Sequence, residues 1–278
     1  MPIHDQGYRR YGGGKARGRG WVVIATAGIR TLIVKRQFIG LVLLAWIPFL
    51  VRAVQIYAAA NVPQAQFLAP TPETFRKFLD YQGIFVFFIT VYVGAGLIAN
   101  DRRANALQIY LSKPLTRAEY IFGKLAVLMT FLLLVTWLPA ILLLLVQMAF
   151  AGNFTFLRNN LFLFPAITVF AAIQVTLVAA TMLALSSLSN SSRYVGILYS
   201  ALIFFTQAIY GVVYLVTRSS ALSFISVSAN LTQIGDVIFR LPPTYDTPWI
   251  VSIAVIALLI GLSALVLERR VRGVEVVA

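Results

Sequence analysis

The sequence predicts an all-α integral membrane protein with six transmembrane helices, and three observations support this fold class. Hydrophobic residues make up 60% of the 278 residues, charged residues only 12%, and the mean hydropathy is +0.85. Soluble domains contain roughly 45–50% apolar and about 25% charged residues. Six apolar stretches are also long enough to cross a hydrocarbon core, which takes about 20 helical residues. We therefore expect the surplus apolar surface to face lipid.

The chain begins with a basic, glycine-rich segment, residues 1–20, which predicts a flexible tail. It is not a signal peptide, because no short apolar core ending in a small-residue cleavage site follows. Residues 12–15 read GGGK, but a phosphate-binding loop needs GxxxxGK[ST] between a strand and a helix. Here Lys15 is followed by Ala16 and no strand precedes it. The sequence therefore predicts no nucleotide-binding site in the tail.

Residues 21–36 predict a separate short helix that lies along the membrane surface, here called the elbow helix. Trp21, Ala25 and Ile29 fall on one helical face, whereas polar residues fall on another. The segment is too short to span a bilayer and is charged at its end, so an interfacial position is expected. The alternative is that the elbow helix simply extends the first span as one long helix.

The transmembrane domain is predicted over residues 37–267, followed by a C-terminal tail over 268–278. A proline in the third span, Pro139, predicts a kink. The fourth and fifth spans are joined only by a short polar link at residues 186–193. The six predicted spans are 37–59, 81–99, 120–149, 161–185, 194–217 and 248–267.

The distribution of basic residues predicts the orientation. Six spans place both termini on the same side of the membrane. Of the 23 Lys and Arg residues, 17 lie in the tail, the elbow helix, residues 101–124, the 186–193 link and the C-terminal tail, whereas only 5 lie in the opposite loops. Because Lys and Arg accumulate in cytoplasmic loops, both termini are predicted to be cytoplasmic in a bacterial-type inner membrane.

Enzyme and metal motifs are missing from the sequence. There is no cysteine, and the single histidine, His4, lies in the tail, so HExxH is impossible; GxSxG does not occur either. The acidic residues sit at or outside the predicted span ends. Proton-driven carriers usually bury an acidic group or a histidine in the bundle, so this placement argues against that class. A carrier that binds another ion through neutral oxygens stays open.

Four polar residues inside predicted spans are candidates for a transport pathway or a helix interface. Arg52 lies towards the outer half of the first span, where its long side chain can reach the membrane surface. The three glutamines can bridge helices or line a pathway. These candidates are Arg52, Gln147, Gln174 and Gln207.

The loop at residues 100–118, between the second and third spans, is the most informative stretch. Asn100 or Asp101 can cap a short amphipathic helix, and Pro114 ends it. Thr116 and Glu119 are spaced as a capping box for the next span. Such a helix can lie on lipid or dock into a cytosolic partner; the alternative is a solvated basic loop. Apolar residues of the short helix share one face: Ala104, Leu107 and Leu111.

This stretch resembles the loop between the second and third helices of ABC-2-type transporter permeases. The Lys-Pro-Leu-Thr-Arg run at 113–117 and Gly-Lys at 123–124 match the family pattern, as does the acidic Asp101 upstream. The sequence departs at 105–106, which read Asn-Ala where the family has a Gly-Thr-like step. The basic N-terminus, elbow helix and six spans also resemble the family. So does segment 218–247, which is similar to its outward-facing re-entrant helices. Within this family, the sequence most resembles the subgroup of multi-copper-enzyme maturation and antibiotic-export permeases.

The resemblance implies a permease subunit of an ABC transporter, the non-catalytic membrane half of an exporter. A separate ATPase subunit would carry ATP and magnesium and dock on residues 101–112, and this chain would hold no cofactor. A second permease subunit, identical or not, would complete a dimer in the bilayer; no nucleic acid is expected. The alternatives are an ATPase-independent carrier or channel, or a scaffold subunit of an assembly complex. The implied coupling residues are Asp101, Arg102, Leu107, Gln108, Tyr110, Leu111, Lys113, Pro114 and Arg117.

Overall fold

The computed structural model describes residues 20–106, 116–150 and 160–271, and this part of the chain is helical without strands. Six of its helices are long and apolar enough to cross a membrane, which confirms the predicted fold class. Two shorter helices, α1 and α7, accompany them. The helices are α1 Gly20–Ile33, α2 Arg36–Asn61, α3 Pro72–Arg103, α4 Arg117–Phe150, α5 Leu163–Leu188, α6 Ser192–Thr217, α7 Val227–Ile238 and α8 Trp249–Arg270.

The elbow helix α1 is a separate helix and does not extend α2. Lys35 has an extended backbone, with φ −78° and ψ 115°, so the chain breaks between the two helices. Helix α1 packs along the start of α4, with Ala25 and Leu32 buried. A Cβ atom on Gly123 would lie only 2.8 Å from Ile24 Cβ, so glycine permits this close approach.

Helix α3 begins at Pro72, whereas hydropathy predicted the start of this span near residue 81. Thr71 is its N-cap, and proline is favoured in a first turn because its missing N–H would have no partner there. Charged residues lower the hydropathy of the first turns but are compatible with a helix, because Lys77 Nζ pairs with Glu73 Oε1 at 2.7 Å, one turn away. The span is therefore longer than predicted and includes charged residues.

A single π-helical segment, Thr90–Gly94, interrupts α3 near its middle. Next to it, Ser186 Oγ of α5 accepts hydrogen bonds from the backbone N–H groups of Ile98 and Ala99, at 3.1 and 3.0 Å. The same hydroxyl donates to the carbonyl oxygen of Ala95 at 2.9 Å. A π segment disturbs the regular backbone ladder, and the side chain from α5 supplies partners next to the disturbance. Helices α3 and α5 are thereby joined.

Helix α4 confirms two local predictions. Thr116 Oγ1 accepts from the backbone N–H of Glu119 at 3.2 Å, and Glu119 Oε2 accepts from the N–H of Thr116 at 2.9 Å, which is the predicted capping box. The helix is interrupted at Thr136, three residues before Pro139. Proline cannot donate a backbone hydrogen bond and crowds the preceding turn, so the interruption has the expected cause.

Helix α5 is the centre of the bundle, and the outer helices leave wide apolar faces uncovered. In the most apolar window of α5, 61% of the residues are buried, against 11% for α2 and 22% for α6 and for α8. The predicted short link between α5 and α6 is confirmed, since α5 ends at Leu188 and α6 begins at Ser192. The exposed apolar faces are suited to lipid or to a second membrane subunit.

Helix α7 lies within the segment predicted to carry a short helix between the last two spans. A 3₁₀ turn, Ser223–Ile225, precedes it, and Ser226 Oγ caps it by accepting from the N–H of Ala229 at 3.1 Å. The helix packs against α3, α5, α6 and α8. We call the end of the bundle that contains α7 and residues 62–71 the outer end. The inner end contains residues 30–36, 100–106, 116–124 and 186–193.

Candidate functional site

The inner end joins the two helices that flank the predicted coupling helix. Asp101 lies in the last turn of α3, and its Oδ2 accepts a hydrogen bond from the Tyr120 hydroxyl of α4 at 2.7 Å. Lys124 Nζ pairs with the same oxygen, also at 2.7 Å. Tyr120 is buried, whereas the ion pair is partly accessible. A carboxylate on α3 therefore holds two side chains of α4.

The expected role of Asn100 or Asp101 as a cap of a new short helix is wrong. Helix α3 continues through both residues to Arg103, and the carboxylate that would cap is bound by α4 instead. The turn falls at Asn105, whose φ of 52° lies in the left-handed region. Asparagine tolerates this conformation better than most residues.

Arg102 connects the inner end to a third helix. Its Nη1 donates to the carbonyl oxygen of Ser187, in the last turn of α5. The last carbonyls of a helix have no partner within the helix, so a guanidinium is well suited to this position. Arg117, the other described coupling candidate, is exposed at the start of α4. The inner ends of α3, α4 and α5 are thus joined through Asp101 and Arg102.

The other predicted coupling residues lie outside the described residues, and their role stays a prediction. Most of the basic tail and of the C-terminal tail also lies outside the described residues, since the described chain begins at residue 20 and ends at residue 271. The coupling candidates concerned are Leu107, Gln108, Tyr110, Leu111, Lys113 and Pro114.

The four polar pathway candidates are not brought together. Arg52 Nη1 donates to Gln55 Oε1 at 2.9 Å and its guanidinium lies 5.8 Å from the Tyr81 ring centre, in a groove between α2 and α3. Gln207 Oε1 accepts from Ser226 Oγ, which bridges α6 to the start of α7. Gln147 is half-buried near the end of α4. Gln174 is buried in α5 and lines a different cavity from that of Arg52.

Three charged residues that the sequence placed outside the spans meet at the outer end, here called the outer cluster: Arg76, Asp80 and Asp236. Arg76 Nη1 pairs with Asp80 Oδ1 one turn along α3, and Arg76 Nε lies 3.9 Å from Asp236 Oδ1 of α7. The guanidinium also lies over the Phe170 ring of α5, 4.6 Å from its centre. The Arg76 and Asp236 side chains are only 3% and 7% exposed. The prediction that Arg76 lies in a loop before the second span is therefore wrong, because it lies within α3.

Polar bonds on α7 hold Asp236 in place. Its Oδ2 accepts from the backbone N–H and the hydroxyl of Thr244, at 3.0 and 2.6 Å. Gln233 Nε2 donates to the carbonyl oxygens of Tyr245 and Thr247, at 3.1 and 2.8 Å. Burial raises the pKa of Tyr245, and the nearby Tyr210 and Asp236 raise it further. The segment after α7 is thus fastened to the helix.

A local signal for the outer cluster was present in the sequence. Arg76 and Asp80 have the i,i+4 spacing of a helical ion pair among large apolar residues. Asn230, Gln233 and Asp236 recur every three residues and share one face of α7. Because Asp236 is buried within the bundle, the placement of the acidic residues no longer counts against a proton-coupled carrier.

The described residues contain no group of three or more His, Cys, Asp and Glu residues that could hold a metal ion. Six helices that are long and apolar enough to span a membrane define a multi-pass membrane protein. The family described as ABC-2 family transporter protein matches residues 22–247, and the chain belongs to this family. Its members are membrane subunits that work with ATPase subunits and are generally non-catalytic. No curated protein matches the chain at a significant level.

Proposed function

We propose that this chain is the permease subunit of an ABC exporter that is driven by a separate ATPase subunit docking on residues 101–112. The ATPase carries ATP and magnesium, and this chain is non-catalytic. A second permease subunit, identical or related, completes the transport unit. Family membership supports the permease role, and the excess of basic residues at the inner end supports an inner-membrane protein with both termini in the cytoplasm.

The observation that carries this proposal is the bond between Asp101 and the start of α4. The loop that leaves α3 re-enters the bundle at α4, and Tyr120 and Lys124 hold both ends of the loop together. Movement of a docked helix would therefore reach α3 and α4 as one unit. Arg102 extends the connection to α5. Rigid-body displacement of packed helices is a common way to transmit such a switch.

The first test is purification from the native host in mild detergent, followed by mass spectrometry of stoichiometric partners. A co-purifying nucleotide-binding subunit is the expected result. A homo-oligomer without an ATPase would contradict the proposal and favour a carrier, a channel or a scaffold.

A substitution tests the docking position. We expect Leu107→Asp or Leu111→Asp to abolish co-purification of the ATPase and stimulation of its ATP hydrolysis, because a charge would interrupt the apolar face of the predicted coupling helix. Ala118→Asp is the matched control, since it adds the same charge at an exposed inner-end position in the first turn of α4, where a carboxylate is favoured. Retention of both signals in the leucine variants would place the docking site elsewhere.

A further inference from the structure

A cavity of about 280 Å³ lies beside the outer cluster, enclosed by α3, α5, α6 and α7. Asp80, Gln174, Ser228 and Thr232 supply its polar groups, and apolar and aromatic side chains form most of the remaining wall. Pockets for small organic ligands commonly have this composition, with few polar groups in an apolar wall, although this one is slightly smaller than their usual volume of about 300–1,000 Å³. It lies within one chain, so no second subunit is needed to complete it.

The charges next to the cavity do not balance. Arg76 is the one guanidinium between two carboxylates, so the outer cluster carries one excess negative charge when both are ionised. Thr244, which does not line the cavity, provides two hydrogen bonds to Asp236. The Asp80 side chain is 49% exposed and lines the cavity. Asp80 pairs with Arg76 through Oδ1 only, so the net negative charge of the outer cluster next to this carboxylate favours cations in the cavity and disfavours anions.

Gln174 is a second and independent indication of an occupant. It is only 7% exposed and lines the cavity from α5. Within the described part of the chain, its Oε1 has no hydrogen-bond partner. Buried acceptors are nearly always paired, so this unpaired oxygen adds uncompensated partial negative charge beside the cavity, which favours a positively charged occupant.

The aromatic wall indicates what kind of cation fits. Phe87 and Tyr199 line the cavity and stack on each other, with ring centres 5.9 Å apart. Aromatic faces attract organic ammonium groups, and the same outer cluster already holds a guanidinium over the ring of Phe170. Calcium or magnesium requires about six oxygen ligands, which this mostly apolar wall does not offer.

We propose that the cavity binds a small organic ammonium ion with an apolar body. Asp80 neutralises its charge, the partial negative charge of Gln174 Oε1 adds to the attraction, and Phe87 and Tyr199 contact its apolar part. The site belongs to the chain alone. It can therefore be tested without ATP or the ATPase, and failure of the test would leave the permease proposal standing.

The experiment measures binding of radiolabelled benzyltrimethylammonium to the purified chain in lipid nanodiscs by equilibrium dialysis, with empty nanodiscs subtracted. We expect saturable binding of one ion per chain. Neopentylbenzene, in which carbon replaces the charged nitrogen, should not displace it. Asp80→Asn should weaken binding at least tenfold. Glu73→Gln, which removes the same charge from an exposed position of α3 outside the cavity, should leave affinity within twofold.

Three further variants keep the test decisive if Asp80→Asn folds poorly. Gln174→Glu adds a carboxylate to the cavity and should strengthen binding, whereas Phe87→Leu and Tyr199→Leu should each weaken it several-fold. Absence of saturable binding to the folded wild-type chain would overturn the proposal. So would equal losses in Asp80→Asn and Glu73→Gln, or unchanged affinity in both aromatic variants.

Discussion

Each end of the bundle has an ion pair that joins α3 to another helix, Asp101 with Lys124 of α4 and Arg76 with Asp236 of α7, but water reaches the two pairs differently. At the inner end, the Lys124 and Asp101 side chains are 13% and 18% exposed. At the outer end, the Arg76 and Asp236 side chains are almost completely buried. A pair in contact with water can exchange its partner for solvent at low cost, whereas a buried pair that loses one partner leaves a charge without compensation. We therefore expect loss of one partner to cost more at the outer end, which we call the fixed connection, than at the inner end.

The π segment Thr90–Gly94 lies between these two ends on the same helix. Such segments often occur at functional positions, where the backbone can change its hydrogen-bond pattern without unfolding. Ser186 supplies the adjacent hydrogen bonds from α5. We expect α3 to adjust here when its inner part moves while its outer part stays fastened. The following substitutions test this contrast, beginning with the largest expected effect.

Replacing the outer guanidinium should have the largest effect on stability. Arg76→Leu leaves two carboxylates without their cation, and breaking a buried pair in this way costs about 3–5 kcal/mol. A large drop in the midpoint of thermal unfolding in detergent would show it. Lys77→Met is the control, because its exposed pair with Glu73 should contribute little. Similar midpoints for the two variants would contradict the assignment of the outer cluster as a fixed connection.

Removing the hydroxyl next to the π segment should have the second-largest effect on stability. Ser186→Ala leaves the N–H groups of Ile98 and Ala99 without this buried acceptor, at a cost of about 1–3 kcal/mol. Hydrogen exchange measured by mass spectrometry should accelerate across residues 95–103. Ser200→Ala is the control, since Ser200 Oγ donates only within its own helix, to Gly196. Unchanged exchange in Ser186→Ala would show that α3 does not depend on this hydroxyl.

Gly235 tests how closely α7 approaches the outer cluster. A Cβ atom there would lie 2.2 Å from Arg76 Nε, so Gly235→Ala must displace the guanidinium, at a cost of about 1–2 kcal/mol. Gly261→Ala in α8 is the matched control, because no atom lies within 4 Å of its added carbon. We expect a lower unfolding midpoint for the first variant and an equal or higher one for the second. The opposite order would contradict the packing of α7 on Arg76.

The smallest effect is expected at the inner end. Tyr120→Phe removes the hydroxyl bonded to Asp101 but leaves Lys124 in place, so it should cost only about 1 kcal/mol. A double-mutant cycle with Lys124→Met measures whether the two α4 side chains act together on the carboxylate. Tyr194→Phe, at an exposed position of α6, is the control. A loss as large as that of Arg76→Leu would remove the contrast between the two ends.

Local patterns predicted the spans, the separate elbow helix, the Thr116–Glu119 capping box and the interruption near Pro139, because each depends on neighbours within a few residues. They gave wrong predictions for charged residues that lie within a helix. Hydropathy treated Arg76 as part of a loop because it averages over the side chain's neighbours and does not register a partner elsewhere. Asp101 was interpreted as a cap for a similar reason, since its true partners, Tyr120 and Lys124, lie beyond the next turn of the chain.

Composition and charge alone therefore established a six-span membrane protein and predicted its orientation, because transfer of apolar side chains into lipid is a property of each segment. Tertiary structure decided which polar groups meet. Arg76 and Asp236 are 160 positions apart, and Ser186 reaches the backbone of α3 from another helix. Such contacts depend on how packed helices are rotated and offset against one another, which no pattern within a single helix specifies.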